Sequence, residues 1–137
     1  MHLTMTLSLP RQSSSVTRSR RVLTTLLSLT DADEEIRGHL AVLISEACAN
    51  AVVHAETGST VDIAIAIDDH DCVVEVGNQG TSPEGSGLRA GLPEPLTIGG
   101  RGLPLIAALA DTAVFTESRP GQVLLRITKR LTNIDAR

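Results

Sequence analysis

Two hydrophobic periods alternate along this chain, and together they predict its elements. Leu3, Met5, Leu7 and Leu9 alternate with Thr4, Thr6 and Ser8, the two-residue period of a strand with one buried face, and Pro10 ends it. Ser13 to Ser15 then offer N-cap hydroxyls to a helix whose apolar Val16, Leu23, Leu26 and Leu27 fall broadly on one side. Thr30 or Asp31 is placed to cap a second helix, with Asp33, Glu34 and Glu35 in the first turn, where the helix dipole favours anions. That helix continues through Ile36, Leu40 and Leu43 to about Ala55, and Gly58 stops it. Val61, Ile63, Ile65 and Ile67 then alternate with Asp62, Ala64, Ala66 and Asp68. This gives a half-buried strand that turns at Asp68 to Asp71 into a second one over Cys72 to Val76.

After Val76 the periodicity disappears into GNQGTSPEGSGLRAGLPEPLTIGGRG, where glycine and proline concentrate. A long loop of this kind in a small domain is a lid, a binding loop or disorder. Its position favours the first two, because it leaves a strand end and finishes on glycines opening a short helix at Leu103 to Ala110; a flexible lid is expected at about 81–98. Thr112 to Glu117 and Gln122 to Thr128 read as two last strands, and Leu131 to Arg137 as a frayed tail. The order predicts an α+β two-layer sandwich with helices on one face of a mixed, mostly antiparallel sheet.

Composition narrows the function. At 137 residues and 42% hydrophobic content the chain suits one domain, residues 1–137, with a single core. A net charge of −4 with both signs scattered leaves no basic stripe for a nucleic-acid backbone, and one Phe with no Trp or Tyr leaves no platform for stacking bases. No direct nucleic-acid partner is expected. Cys48 and Cys72 have no metal-like spacing and read as small buried residues, which suits a reduced, cytoplasmic setting. No uninterrupted apolar run approaches the roughly 20 residues a bilayer requires, so no membrane partner is expected either.

The chemistry concentrates in ISEACANAVVHA, Ile44 to Ala55. At helical spacing Glu46, Asn50 and His54 lie within an arc of roughly 80° and share a side with Leu40, Leu43, Ala47 and Ala51. Polar groups on an inward face need partners. Taken singly, each is explained by contact with neighbouring backbone; as a row they combine a base, a neutral oxygen suited to a hard cation, and a donor, a set fitted to a metal–phosphate group. Downstream, Gly99, Gly100 and Gly102 around Arg101 precede a helix whose free N–H groups can face an anion, though glycines also serve ordinary turns. Arg18 and Arg21 share one face of the first helix, either as a solvated basic surface or as a contact for an acidic partner.

The spacing E-x-x-x-N-A-x-x-H-A from Glu46 to Ala55 resembles the N-box of the GHKL ATPases, especially the stand-alone serine kinases that act as anti-sigma factors. NQGTSP at Asn78 to Pro83 lies where that family has its D-x-G box, and GGRGLPLI at Gly99 to Ile106 looks like its second glycine box. The resemblance covers nearly the whole chain and implies the histidine-kinase-like ATPase fold. It also implies ATP and Mg²⁺ as cofactors, with Asn50 holding the metal and Glu46 activating a Ser or Thr hydroxyl. Asn50, His54, Asn78, Gly80, Gly100, Arg101, Gly102 and Leu103 would meet the nucleotide. The first helix, through Arg18 and Arg21, would meet a partner. The implied partners are an anti-sigma-factor antagonist and a sigma factor, with homodimerisation. Two positions depart from the family pattern: Asn78 replaces the Asp that reads adenine, and Gly121-Gln122-Val123 replaces Gly-x-Thr, removing a hydroxyl near the base. They keep open an alternative, a nucleotide-responsive binding switch of weak or absent catalytic activity.

Overall fold

The computed structural model of the protein describes residues 1–54, 60–79, 102–119 and 122–132. Five strands, β1 (Leu3–Pro10), β2 (Thr60–Ile67), β3 (Asp71–Gln79), β4 (Thr112–Arg119) and β5 (Gln122–Arg130), form one sheet in the order β1-β2-β3-β5-β4. All four pairings are antiparallel, so the expected mixed character is absent among the described strands. Three helices, α1 (Ser14–Leu27), α2 (Glu34–His54) and α3 (Gly102–Leu109), complete the two-layer α+β architecture.

The two-residue period decides which side of the sheet is covered. Val61, Ile63, Ile65 and Ile67 of β2 are aligned by register with Asn78, Val76, Val74 and Cys72 of β3, and these in turn with Val123, Leu125, Ile127 and Lys129 of β5. All twelve are buried, and the apolar ones belong to the same core cluster as the inner residues of the helices. The opposite phase carries Thr4, Thr6, Ser8, Asp62, Glu75 and Arg126 and is more exposed.

The central helix α2 supplies the core's spine. Its buried residues Ile36, Leu40, Leu43, Ile44, Ala47, Cys48 and Ala51 recur at three- and four-residue steps, one continuous stripe toward the sheet. Although no uninterrupted apolar run in the sequence suggested it, α2 is by length and composition apolar enough to cross a bilayer. Here the buried stripe just named packs into the core, and Val53 on the other side is exposed.

Several boundaries differ from expectation. α1 does not use a serine hydroxyl as its cap: Ser13 makes no side-chain cap bond, and Ser15 Oγ instead donates to Pro10 O at 2.6 Å, tying the helix to the end of β1. The buried stripe of α1 is Ser15, Ser19, Leu23 and Leu27, with Val16 and Leu26 only half-buried beside it. The two serines suit a close approach because they are small and satisfied locally, Ser19 Oγ donating to Val16 O at 2.8 Å. α2 starts later than Thr30 or Asp31 allows. Thr30 Oγ1 is engaged with Leu27 O and Ala32 N, and Asp33 O accepts the first helical bond, from Arg37 N. β3 runs three residues beyond Val76, because Gly77, Asn78 and Gln79 continue the ladder with β5. Leu131 is not frayed: it is 3% exposed, its N–H donates to His70 O and its carbonyl accepts from Asp33 N. The helix stop assigned to Gly58, the lid at 81–98 and the final residues 133–137 lie outside the described residues.

Candidate functional site

α2 has two flanks. On one, Ser45 Oγ accepts from Arg20 of α1 at 3.3 Å, and the Cys48 thiol meets Ser19 of α1. Counting helical rotation from there, Glu46, Asn50 and His54 fall on the other flank, away from α1 and along the edge of the buried stripe. All three are half-buried, and among the described residues none makes a side-chain hydrogen bond or ion pair. The row predicted from the sequence is thus one helix edge between core and solvent, its polar atoms uncommitted among the described residues. α3 also packs on α2, so the elements the sequence assigned to nucleotide binding are neighbours in space.

Asn78 stands out on the sheet. It occupies the inward phase of β3, directly across from Val61 on one side and Val123 on the other, and is 7% exposed. Its Oδ1 is buried and accepts no hydrogen bond. A carboxamide oxygen left dry costs about 1–3 kcal/mol, so a fold that keeps one needs a compensating reason, and a bound donor is such a reason. Asn suits this position, because a neutral amide tolerates an apolar surround better than a carboxylate would.

α3 opens at Gly102 and Leu103, as the glycine pattern predicted, and Ile106 anchors it at 0% exposure. One residue behind its placement was missed in the sequence. Lys129, in the inward phase of β5, is 8% exposed and its Nζ donates to Leu109 O at 2.6 Å, at the C-terminal end of α3. A cation there complements the helix dipole and caps a carbonyl that the helix cannot satisfy itself. The following turn is pinned to the same strand, Asp111 N donating to Thr128 O and Asp111 Oδ2 accepting from Arg130 N at 2.6 Å. The signal was available: a lysine in phase with Val123, Leu125 and Ile127 breaks the apolar alternation.

Arg18 and Arg21 are exposed on α1, as a basic surface requires. Gly80, Gly100 and Arg101 lie outside the described residues. The cysteines are free and buried; burial pushes the Cys72 thiol up to about 12 and raises Cys48, the latter partly offset by the Ser19 hydroxyl. Among the described residues no group of three His, Cys, Asp or Glu side chains that could hold a metal ion occurs.

An antiparallel sheet covered on one side, a central helix with an uncommitted polar edge and a short helix opened by glycine define a domain of the histidine-kinase-like ATPase fold. Comparison with known proteins agrees. Over residues 9–129 the sequence matches the histidine kinase-like ATPase domain, and the chain belongs to that family. Among solved structures it is similar to the RsbU and RsbW domains of Rv1364c from Mycobacterium tuberculosis, at 20% identity and a TM-score of 0.70, covering 94% of this chain but only 32% of that longer one. It is also similar to the SiaB–SiaC complex from Pseudomonas aeruginosa, at 20% identity and a TM-score of 0.59 over 92% of this chain and 89% of that one. The nucleotide-free catalytic domain of the histidine kinase ThkA is 16% identical at a TM-score of 0.55, over 95% and 98% of the two chains. At these identities the likeness is one of fold. Comparison with curated proteins gave no match.

Proposed function

We propose that the protein is an ATP-dependent serine/threonine protein kinase of the anti-sigma type, which phosphorylates a small antagonist domain and thereby controls a sigma factor. One observation carries the reading: a buried acceptor with no partner, Asn78 Oδ1, stands on the helix-facing side of the sheet, the side on which α2 presents its uncommitted row.

In this reading ATP is the phosphoryl donor, with Asn78 and Gly80 at the base and the backbone of Gly100, Arg101, Gly102 and Leu103 near the phosphates. The N–H groups opening α3 suit an anion, and Lys129 holds that helix from its far end. Asn50 supplies a neutral oxygen for Mg²⁺, which would offset phosphate charge, and His54 a further donor. Glu46 accepts the proton of a partner's Ser or Thr hydroxyl as its oxygen bonds to the γ-phosphorus and the bond to the ADP oxygen breaks. Such transfers depend on positioning and charge neutralisation, so an open helix edge is a sufficient catalytic surface, for which the sequence-expected lid at about 81–98 is the proposed cover. Arg18 and Arg21 would meet the partner. Support for a protein partner comes from the similar fold of SiaB, whose structure is a complex with SiaC, and from the RsbU and RsbW domains sharing one chain. Homodimerisation and a cytoplasmic location belong to the same proposal.

The test is transfer of labelled γ-phosphate to a candidate antagonist domain, with Glu46→Gln as control. We expect the variant to lose transfer by at least about a hundredfold while retaining ATP binding; undiminished transfer would remove Glu46 from the base role. Asn78 and Val123 favour a second reading, a nucleotide-responsive switch without phosphoryl transfer, which binds ATP and partner but leaves the partner unlabelled.

A further inference from the structure

We propose that Asn78 makes the base site indifferent to the 6-substituent of a purine, so that 6-amino and 6-oxo purine nucleotides are both ligands; this rests on the reading that Asn78 meets the base. Its surroundings carry the argument. Oδ1 is buried and unpartnered, and the cross-strand neighbours of Asn78 on both sides, Val61 and Val123, present only methyl groups. Neither fixes which way the amide faces. A carboxamide carries an acceptor and a donor on one planar fork, and a half-turn about its terminal torsion exchanges the two at almost the same positions.

A 6-amino group donates and meets Oδ1; a 6-oxo group accepts and meets Nδ2. A carboxylate in the same place only accepts, so a 6-oxo purine would set two acceptors against each other in a dry site, and sites of that kind discriminate strongly. Val123 extends the effect. A hydroxyl in its place would offer β3 a polar neighbour able to bias the amide; the valine, 3% exposed, offers none. The consequence concerns selectivity: the site keeps its hydrogen bond for either base and gives up the ability to reject one of them.

The experiment is equilibrium titration of the intact chain with ATP and with ITP, each with Mg²⁺, by calorimetry. ITP replaces the 6-amino group of ATP by a carbonyl oxygen, with N1 becoming an N–H, and leaves the sugar and phosphates unchanged. The expected result is a pair of dissociation constants within about threefold of each other, and an Asn78→Asp variant that favours ATP by at least about thirtyfold. A wild-type preference for either nucleotide beyond about threefold overturns the inference and leaves the nucleotide reading standing. Failure to bind either nucleotide at millimolar concentration overturns that reading and the inference with it. The wild-type ratio decides without any variant, so a poorly folded Asn78→Asp protein leaves the test intact; if that variant folds, an unchanged ratio overturns the assignment to Asn78.

Discussion

Replacing Asn78 by Leu separates folding from function at one position. The two side chains have nearly the same shape, and the site is flanked across the strands by Val61 and Val123, so the change keeps the volume and removes the polarity. With Oδ1 unpartnered at 7% residue exposure, the substitution relieves a desolvation cost of about 1–3 kcal/mol. For a chain of this length the unfolding entropy is about 290 cal/mol/K, so each kcal/mol moves the melting temperature by about 3.5 °C. The nucleotide-free variant should therefore melt about 3–10 °C above the wild type. Wild-type protein at a nucleotide concentration 100 times its Kd should gain about 2.7 kcal/mol, a shift of about 9 °C, and at the same concentration the variant, its Kd weakened about tenfold or more by the lost hydrogen bond, should keep about half of that shift or less. Differential scanning calorimetry with and without MgATP measures both. A variant that melts below the wild type would show that the amide is structural, and one that keeps the full nucleotide shift would show that the base lies elsewhere.

Lys129→Met removes the ammonium that caps Leu109 O and should destabilise the protein by about 1–3 kcal/mol, read as a melting temperature lowered by about 3–10 °C; an unchanged melt would show that the buried charge costs as much as its bond returns. Cys72 and Cys48 should resist iodoacetamide at pH 8 in the native protein and react once denatured, and rapid native labelling would contradict their burial. The Cys72 thiol, raised to about 12 in the fold, holds its proton more tightly than in the unfolded chain. Its contribution to stability is thus complete below the ordinary thiol value and declines as pH rises from about 9 toward 12. Chemical denaturation of wild type and Cys72→Ala across that range checks the sign: the variant should lose less stability with rising pH.

Much of the architecture is written locally. The alternation from Val61 to Ile67 and the stripe from Ile36 to Ala51 specify their own buried faces, because strand and helix periods follow from backbone geometry whatever the neighbours are. The row Glu46, Asn50 and His54 was legible for the same reason: side chains four apart on a helix stand above one another before any tertiary contact forms. What the pattern lacked was any measure of pairing between distant segments. β3 passes Val76 because β5 lies alongside to accept Gly77, Asn78 and Gln79 into the ladder, and Leu131 is ordered because His70 and Asp33 meet its backbone. The burial of the α1 serines depends on what the helix packs against: Ser19 meets Cys48 of α2, and Ser15 donates to Pro10 O in place of a capping role. The chemistry of Asn78 divides in the same way. Its residue type was in the sequence, but its isolation among valines from two other strands, and the bond from Lys129 to a helix twenty residues upstream, exist only where the sheet brings them together. Periodicity is a property of consecutive residues, whereas burial and hydrogen-bond partnership are properties of neighbours in space, which the folded chain alone selects.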